Sequence, residues 1–527
     1  MQLLETSLEP GHLRRDFAGV PLVIGIAGHR DVPAAAKARL REQFDRVLDE
    51  IERLYPSTQL LVLTPLARGA DLLAAQAALE RKIPVIGVLP QDTSAYETEL
   101  SARERVDFDN VLKGLYDRVS APDAPGAANK YAGASEYVAD YANILVAFWD
   151  GVDGVGIGGT SYSVDLRLAH GDVADAGPVY QIVTPREGKE EPENCFSIRR
   201  HYPHPRRDAR IAERDFCAAL GRLDRFNRDA LRNARARKEH GLLDLQQRAS
   251  ALADRYQAAS LNAMSATYLL ALTAGLALIL ENRAATLLIT FPLIFLALCV
   301  FLLARRLDLE NCYQDYRALS EALRVQYAWC CAGLQDARVD RFYLRMQQSE
   351  LQWIRMALRT AFLALGGRDA VEGCGPAHEG CRDWIHSQCS YYRHAGRREV
   401  RKKHLFERLE MTATVLAMCC AFAALFLDHF QQSSFAAWAL KVFGCLGIVA
   451  VLARFYEQQR GFGENARRYE NMYAVFERAR ADLDNVYRGG SQSSHAAVLE
   501  ETGREALAEH AYWLVLRRER PLTFMHV

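Results

Sequence analysis

The chain has no excess of charge of either sign: 65 Lys and Arg stand against 65 Asp and Glu. That removes the broad basic surface on which nucleic-acid binding depends, so no nucleic-acid partner is expected. A cleavable leader is not seen either, because Met1–Arg15 is polar and carries Glu5, Glu9 and Arg14. The 12 cysteines lack the spacing of a disulfide scaffold. Four of them (Cys299, Cys419, Cys420 and Cys445) fall inside apolar runs, where a thiol behaves as a small hydrophobe. The soluble parts are therefore expected in a reducing cytosol. Proline is missing from Ile211–Tyr256 and from Arg305–Leu365, so nothing in those stretches breaks a helix.

What the chain does have is long apolar runs, at about Met264–Leu280, Ala285–Ala304, Met411–Leu427 and Ser434–Ala453. A helix of about 20 residues reaches about 30 Å, the thickness of the hydrocarbon layer of a bilayer. The short Glu281–Arg283 segment joins the first two runs, and a similar short turn joins the last two, so the expected arrangement is two hairpins. Arg248, Arg255, Arg305 and Arg306 flank the first hairpin; Arg398, Arg401, Lys402, Lys403 and Arg454 flank the second. By the positive-inside rule the two loops face outward, and the N-terminal domain and C-terminus lie in the cytoplasm of a multi-pass cell-membrane protein. Lys441 interrupts the fourth run and has two readings: a possible pore-lining charge, or a snorkelling side chain.

The first third alternates strand-type and helix-type segments. Pro21–Ala27, Leu60–Thr64, Pro84–Leu89, Ile144–Phe148 and Val179–Val183 are short apolar runs; helical patterns run to about Leu54, over Leu72–Arg81 and over Tyr162–His170. This predicts an α/β domain with a doubly wound, Rossmann-like parallel sheet, in which ligands bind beyond the carboxyl ends of the strands. The unusual residues sit at those ends: Gly28, His29 and Arg30; Arg68, Gly69 and Asp71; Trp149 and Asp150; then Gly158, Gly159 and Thr160 before a helix. Glycines admit a phosphate close to the backbone, a helix N-terminus supplies N–H groups, and Arg30 and Arg68 supply positive charge. These eleven residues are the candidate ligand-binding set.

In this order, GHRD (Gly28–Asp31), ARGAD (Ala67–Asp71), FWDG (Phe148–Gly151) and GGT (Gly158–Thr160) resemble the SLOG superfamily over about residues 18–186. That superfamily is a Rossmann-like fold that includes LOG-type enzymes, and ADP-ribose-type ligand domains of melastatin-type TRP channels and of bacterial antiviral systems. LOG-type phosphoribohydrolases follow their Gly-Gly-x-Gly-Thr turn with a catalytic Glu; here Thr160 is followed by Ser161–Val164 and no carboxylate before Asp165. The resemblance thus implies a binding module, with no catalytic residue assigned and a nucleotide as ligand rather than cofactor. Asp71 and Asp150 keep a LOG-like hydrolase open as the alternative.

Pro185–Asp208 is rich in charge and proline and reads as a linker. Beyond it, helix–hairpin–helix occurs twice, which suggests an internal duplication. Tyr316–Gln326, and Ala506–Trp513 with Arg518–Pro521, resemble the SLATT family of two-helix membrane effectors, in tandem over about residues 210–527. The family implies pore formation, a nucleotide-synthesising enzyme as signal source, and a role in antiviral defence; four spans per chain are few for a pore, so a homo-oligomer is expected. Cys374, His378, Cys381, His386 and Cys389 cluster between the two halves, but their spacing is wider than a usual zinc site, so no metal is expected. The expected division is a nucleotide-binding domain at 1–186, a linker at 187–210, and helix-hairpin-helix units at 211–366 and 367–527. Together they read as an α/β sensor followed by an all-α membrane region with long cytoplasmic helices.

Overall fold

A computed structural model describes residues 17–89, 100–122, 132–154, 156–168, 176–203, 208–232, 241–280, 284–334, 337–344, 351–365, 377–429, 433–489 and 492–519. The chain divides into two compact units: Met1–Leu245 with Asp340–Gly367, and Gln246–Val339 with Arg368–Val527.

The first unit is built on β1 (Leu22–Gly28), β2 (Leu60–Thr64), β3 (Val85–Leu89), β4 (Asp117–Ser120), β5 (Ile144–Trp149), β6 (Val179–Val183) and β7 (Ile198–His201). Their order is β4-β3-β2-β1-β5-β6-β7, parallel throughout except for β7, which runs antiparallel to β6. The five inner strands are near-continuous apolar runs, as expected for strands covered on both faces. Between them run α1 (Lys37–Leu54), α2 (Ala70–Glu80), α3 (Ala102–Gly114), α4 (Ala132–Tyr141) and α5 (Thr160–Leu168). Helix α1 shows the logic: Leu40, Phe44, Val47, Leu48 and Ile51 recur at helical spacing and are all buried.

The edge strands were not expected. β4 reads DRVS and β7 reads IRRH, polar sequences that suit strands with one open side. β7 lies within the stretch read as a linker, so the expected boundary at residue 186 cuts the sheet. Arg200 of β7 pairs with Glu50 of α1 and lies over the Tyr180 ring, 5.4 Å from its centroid.

Two helices expected in the membrane half belong to this unit, because each buries a face here. Helix α6 (Ala209–Arg232) buries Phe216, Leu220, Leu223, Phe226 and Asn227. The Asn227 side chain closes the backbone at Val20: its Oδ1 accepts from the Val20 amide, and its Nδ2 donates to the Val20 carbonyl, both at 2.9 Å. Nδ2 also reaches Thr58 Oγ1 at 3.1 Å. Further along, α7 spans Leu242–Leu280, α8 Ala284–Arg306, α9 Leu309–Cys331, and α10 Gln352–Leu365. In α10, Trp353 is fully buried near Phe226 (centroids 6.1 Å). Arg359 donates to the Asp340 carboxylate and to the Asp140 carbonyl, each at 3.0 Å. Tyr116 adds a bond to the Ala364 carbonyl at 3.3 Å.

The second unit is all helical: α7 from Gln246 onward, α8, α9, α11 (Ala377–His429), α12 (Ser433–Arg460), α13 (Phe462–Gly489) and α14 (Gln492–Glu519). Four helical stretches among the described residues are long and apolar enough to cross a membrane: Leu242–Leu280, Thr286–Cys331, Arg382–His429 and Ser434–Val486. Only 11–17% of their most apolar windows is buried within the molecule, so the apolar side chains face outward. The hairpin loops at 281–283 and 430–432 lie outside the described residues. The first and fourth runs meet closely through glycine: a Cβ on Gly275 would stand 2.9 Å from Ile448, and one on Gly444 would stand 3.1 Å from Ile279. After the second run Leu307 and Asp308 separate the apolar helix from the next, with Asp308 at φ 57°; after the fourth, Gly461 alone does so, at φ 60°.

Replacing Asn227 by Ala leaves the Val20 amide and carbonyl without partners inside the fold. The α/β unit is expected to lose about 2–4 kcal/mol, read as an earlier urea transition for the slowest-exchanging amides of β1.

Candidate functional site

Strand β1 has β2 on one side and β5 on the other, and the chain leaves the sheet in opposite directions from that point. A parallel sheet opens a crevice at such a reversal, beyond the carboxyl ends of its strands. A cavity of about 350 Å³ lies there, lined by Gly28, His29 and Arg30 after β1, Ala67, Arg68 and Asp71 after β2, and Gly158, Gly159 and Thr160 after β5. Eight of the eleven expected residues therefore line one cavity; the other three, Gly69, Trp149 and Asp150, stand behind it.

The glycines at β1 and α2 are steric requirements. A Cβ on Gly28 would lie 2.4 Å from the Ala70 Cβ. Gly69 has φ +86°, and a Cβ there would lie 2.6 Å from the His29 carbonyl oxygen. Both let α2 begin against the end of β1, where the Ala70 amide donates to the His29 carbonyl at 3.1 Å. Gly158, at φ +87°, turns the chain into α5; Ser135 Oγ of α4 donates to its carbonyl at 3.2 Å, and Ser163 Oγ donates to the Gly159 carbonyl at 3.4 Å.

Asp71 is the most unusual group in the cavity. It is 3% exposed, and its Oδ1 has no hydrogen-bond partner. Burial pushes its pKa up to about 8, against the pull of the Arg30 charge and the amides it meets. Such a carboxyl is protonated at neutral pH and can donate a hydrogen bond.

Trp149 and Asp150 act from the rear. The Trp149 indole donates to the Val152 carbonyl at 3.0 Å and shapes the following loop. The Asp150 amide donates to His29 Nε2 at 3.1 Å, while the Asp150 carboxylate lies 3.1 Å from the same nitrogen. Burial lowers the His29 pKa despite that carboxylate. Burial opposes ionisation of Asp150, but the Val152 amide, His29 and Arg186 outweigh it and hold its pKa low.

Sequence reasoning missed Asp31, Pro65, Ser135, Ser163 and Arg186, all of which line the cavity. Arg186 holds Asp31 through both carboxylate oxygens (2.9–3.1 Å) and lies 3.5 Å from Asp150. Its signal was present: it stands three residues after β6, at the same edge of the sheet. Arg68 is exposed on the rim. Asp165, the first carboxylate after Thr160, is exposed on α5 and does not line the cavity.

The other candidates lie in the helical unit. Lys441 donates its ammonium to the Leu280 carbonyl, at the last residue of α7, at 2.8 Å, and lies 5.0 Å from the Trp438 ring centroid. It thus caps a helix end and answers its dipole. Cys374 lies outside the described residues, as do the side chains of His378 and Cys381. Among the described residues no group of three His, Cys, Asp or Glu is placed to hold a metal ion.

The sequence matches no family model and no curated protein.

Between pH 3.8 and about 8 the folded chain keeps a proton on Asp71 that the unfolded chain has lost, so this group costs stability as pH rises through that window. Asp71→Asn, similar in shape and without the charge, is expected to gain stability relative to the wild-type chain at pH 8 but not at pH 4, measured by urea unfolding at both.

Proposed function

We propose that this protein is a ligand-gated membrane effector. Its α/β unit senses a nucleotide second messenger, an ADP-ribose derivative or a cyclic nucleotide. The observation that carries this is the switch-point cavity, where Arg30 and Arg68 meet a glycine turn at the start of α5 around the buried, unpartnered oxygen of Asp71. Arginine and a helix N-terminus suit phosphate; a carboxyl with one unused oxygen suits a sugar hydroxyl or a base edge. The resemblance to SLOG and SLATT proteins gives the same assignment.

In this reading the four apolar helices are membrane spans, with both units' polar parts on the cytoplasmic side of a bacterial cell membrane, as the arginine and lysine flanks direct. The chain passes between the two units at residues 245–246, 339–340 and 367–368. Strain or order imposed on the sensor is carried along those three crossings. Differential affinity of a few kcal/mol between two states shifts their populations about a hundredfold. Four spans are few for a pore, so the active form is a homo-oligomer that permeabilises the membrane in antiphage defence. Lys441 stands at the outer end of the spans, where a capping charge would also face a pore mouth.

A second reading has its own observation. A carboxyl such as Asp71, protonated near neutral pH, is suited to general-acid chemistry, and a LOG-like nucleotide hydrolase would use it so.

Liposomes carrying the full chain are expected to release dye on addition of one member of a panel of ADP-ribose variants and cyclic nucleotides. Gly159→Glu should abolish release and Arg68→Ala should raise the required concentration at least tenfold. No release, with nucleotide consumed and consumption lost in Asp71→Asn, supports the hydrolase instead.

A further inference from the structure

The helical unit holds a larger cavity, about 630 Å³, lined by residues of α7, α9, α11, α12, α13 and α14. From Glu310 to Arg324 along α9 it extends roughly 20 Å. Its size is that of a small-molecule site, and its walls are polar and aromatic. Tyr313, Tyr391, Tyr392, Tyr469 and Trp513 all face it.

Most of its charges are matched. Arg317 lies 2.9 Å and Arg324 2.5 Å from Glu321, and Arg468 holds Glu509 through both carboxylate oxygens. Asp254 is 3.7 Å from Arg317 and Glu399 is 2.8 Å from Lys402, while Glu310 accepts from the neutral Gln314 amide at 3.4 Å. His510 adds no charge, since burial pushes its pKa down to about 3. Two guanidiniums are left over. Arg517 donates to the Gln459 carbonyl at 3.1 Å, in the last turn of α12, the turn that also carries Arg460. Arg460 lies over the Phe462 ring, 5.3 Å from its centroid. Among the described residues neither has a carboxylate within 4.0 Å, and both line the cavity. A guanidinium that lines a cavity with no carboxylate in reach is free to take an anionic oxygen there.

We propose that this cavity is a second ligand site, for an organic phosphate whose phosphoryl group sits between Arg460 and Arg517 and whose polar body runs in among the tyrosines. The same chemistry has two sources. Arg460 stands seven residues beyond the fourth apolar run, roughly 10 Å along α12, within reach of an anionic lipid headgroup; a soluble nucleotide fits the volume equally. This site is independent of the α/β cavity and of the function proposed for it.

The test uses the full chain carrying Arg68→Ala and Gly159→Glu, which disable the first cavity, in nanodiscs. In phosphatidylcholine discs, equilibrium binding of labelled AMP and of inorganic pyrophosphate is measured; in discs containing phosphatidylglycerol, retained lipid is counted by native mass spectrometry. Saturable binding of a soluble probe, or selective retention of phosphatidylglycerol, is expected in one arm and names the source. R460Q/R517Q should weaken it at least tenfold, and R460K/R517K should restore most of it. R460Q alone, which removes no ion pair or hydrogen bond of that guanidinium, should weaken it too. Absence of binding in both arms, or binding unchanged by the glutamine variants, overturns the proposal.

Discussion

The position of β1 in the sheet is the constraint on which the α/β unit depends. Because β1 lies between β2 and β5 and all three run parallel, their carboxyl ends open on one side, and every polar group of the cavity follows from that. The sheet must pack tightly just below the opening. Gly28 and Gly69 are where this is felt: neither has room for a side-chain carbon, so α2 starts in contact with the end of β1. Asp71, in the first turn of that helix, is carried into a dry place as a result. Its raised pKa is a consequence of backbone packing.

The two units handle buried charge in opposite ways. In the α/β unit, a chain of partners (Arg186, Asp31, Asp150 and His29) fixes the rear wall, and in front one carboxylate oxygen of Asp71 is left without a hydrogen-bond partner. In the helical unit, Glu321 ties two arginines of its own helix α9, Glu509 ties Arg468 of α13 across to α14, and two other guanidiniums have no carboxylate partner among the described residues. Both arrangements give up stability that an apolar interior would have provided. Sites that break local rules in this way are where function is expected.

How much was legible follows the same physics. β2 and β6 lie over the expected residues, since an inner strand must be apolar on both faces and little else is. β4 and β7 were hidden because an edge strand needs apolar side chains on neither count; DRVS and IRRH carry no pattern to find. The four apolar runs were plain, but membership of the flanking helices was not. Periodicity shows that α6 and α10 each have a buried face; it does not say against what, and Asn227 and Arg359 settle it through backbone groups distant in sequence. Helix α11 shows a related limit: one continuous helix runs from Ala377 to His429, so the apolar run Met411–Leu427 is only its last part. Eight cavity residues were found because strand ends were the right place to look, and Arg186 was missed only because that rule was not applied after β6.

The close approach of Gly275 to Ile448 and of Gly444 to Ile279 has a bearing on how the chain is made. The first apolar helix finds its tight partner in the last of the four, with α8, α9, α10 and α11 translated in between. During synthesis that first helix is finished, glycine face and all, long before its mate exists. The order of emergence from the ribosome therefore opposes the order of contact, and the helical unit can close only once Gly444 has been added. Premature chain termination between α7 and α12 would leave that glycine face unpaired, open to any other helix small enough to fill it.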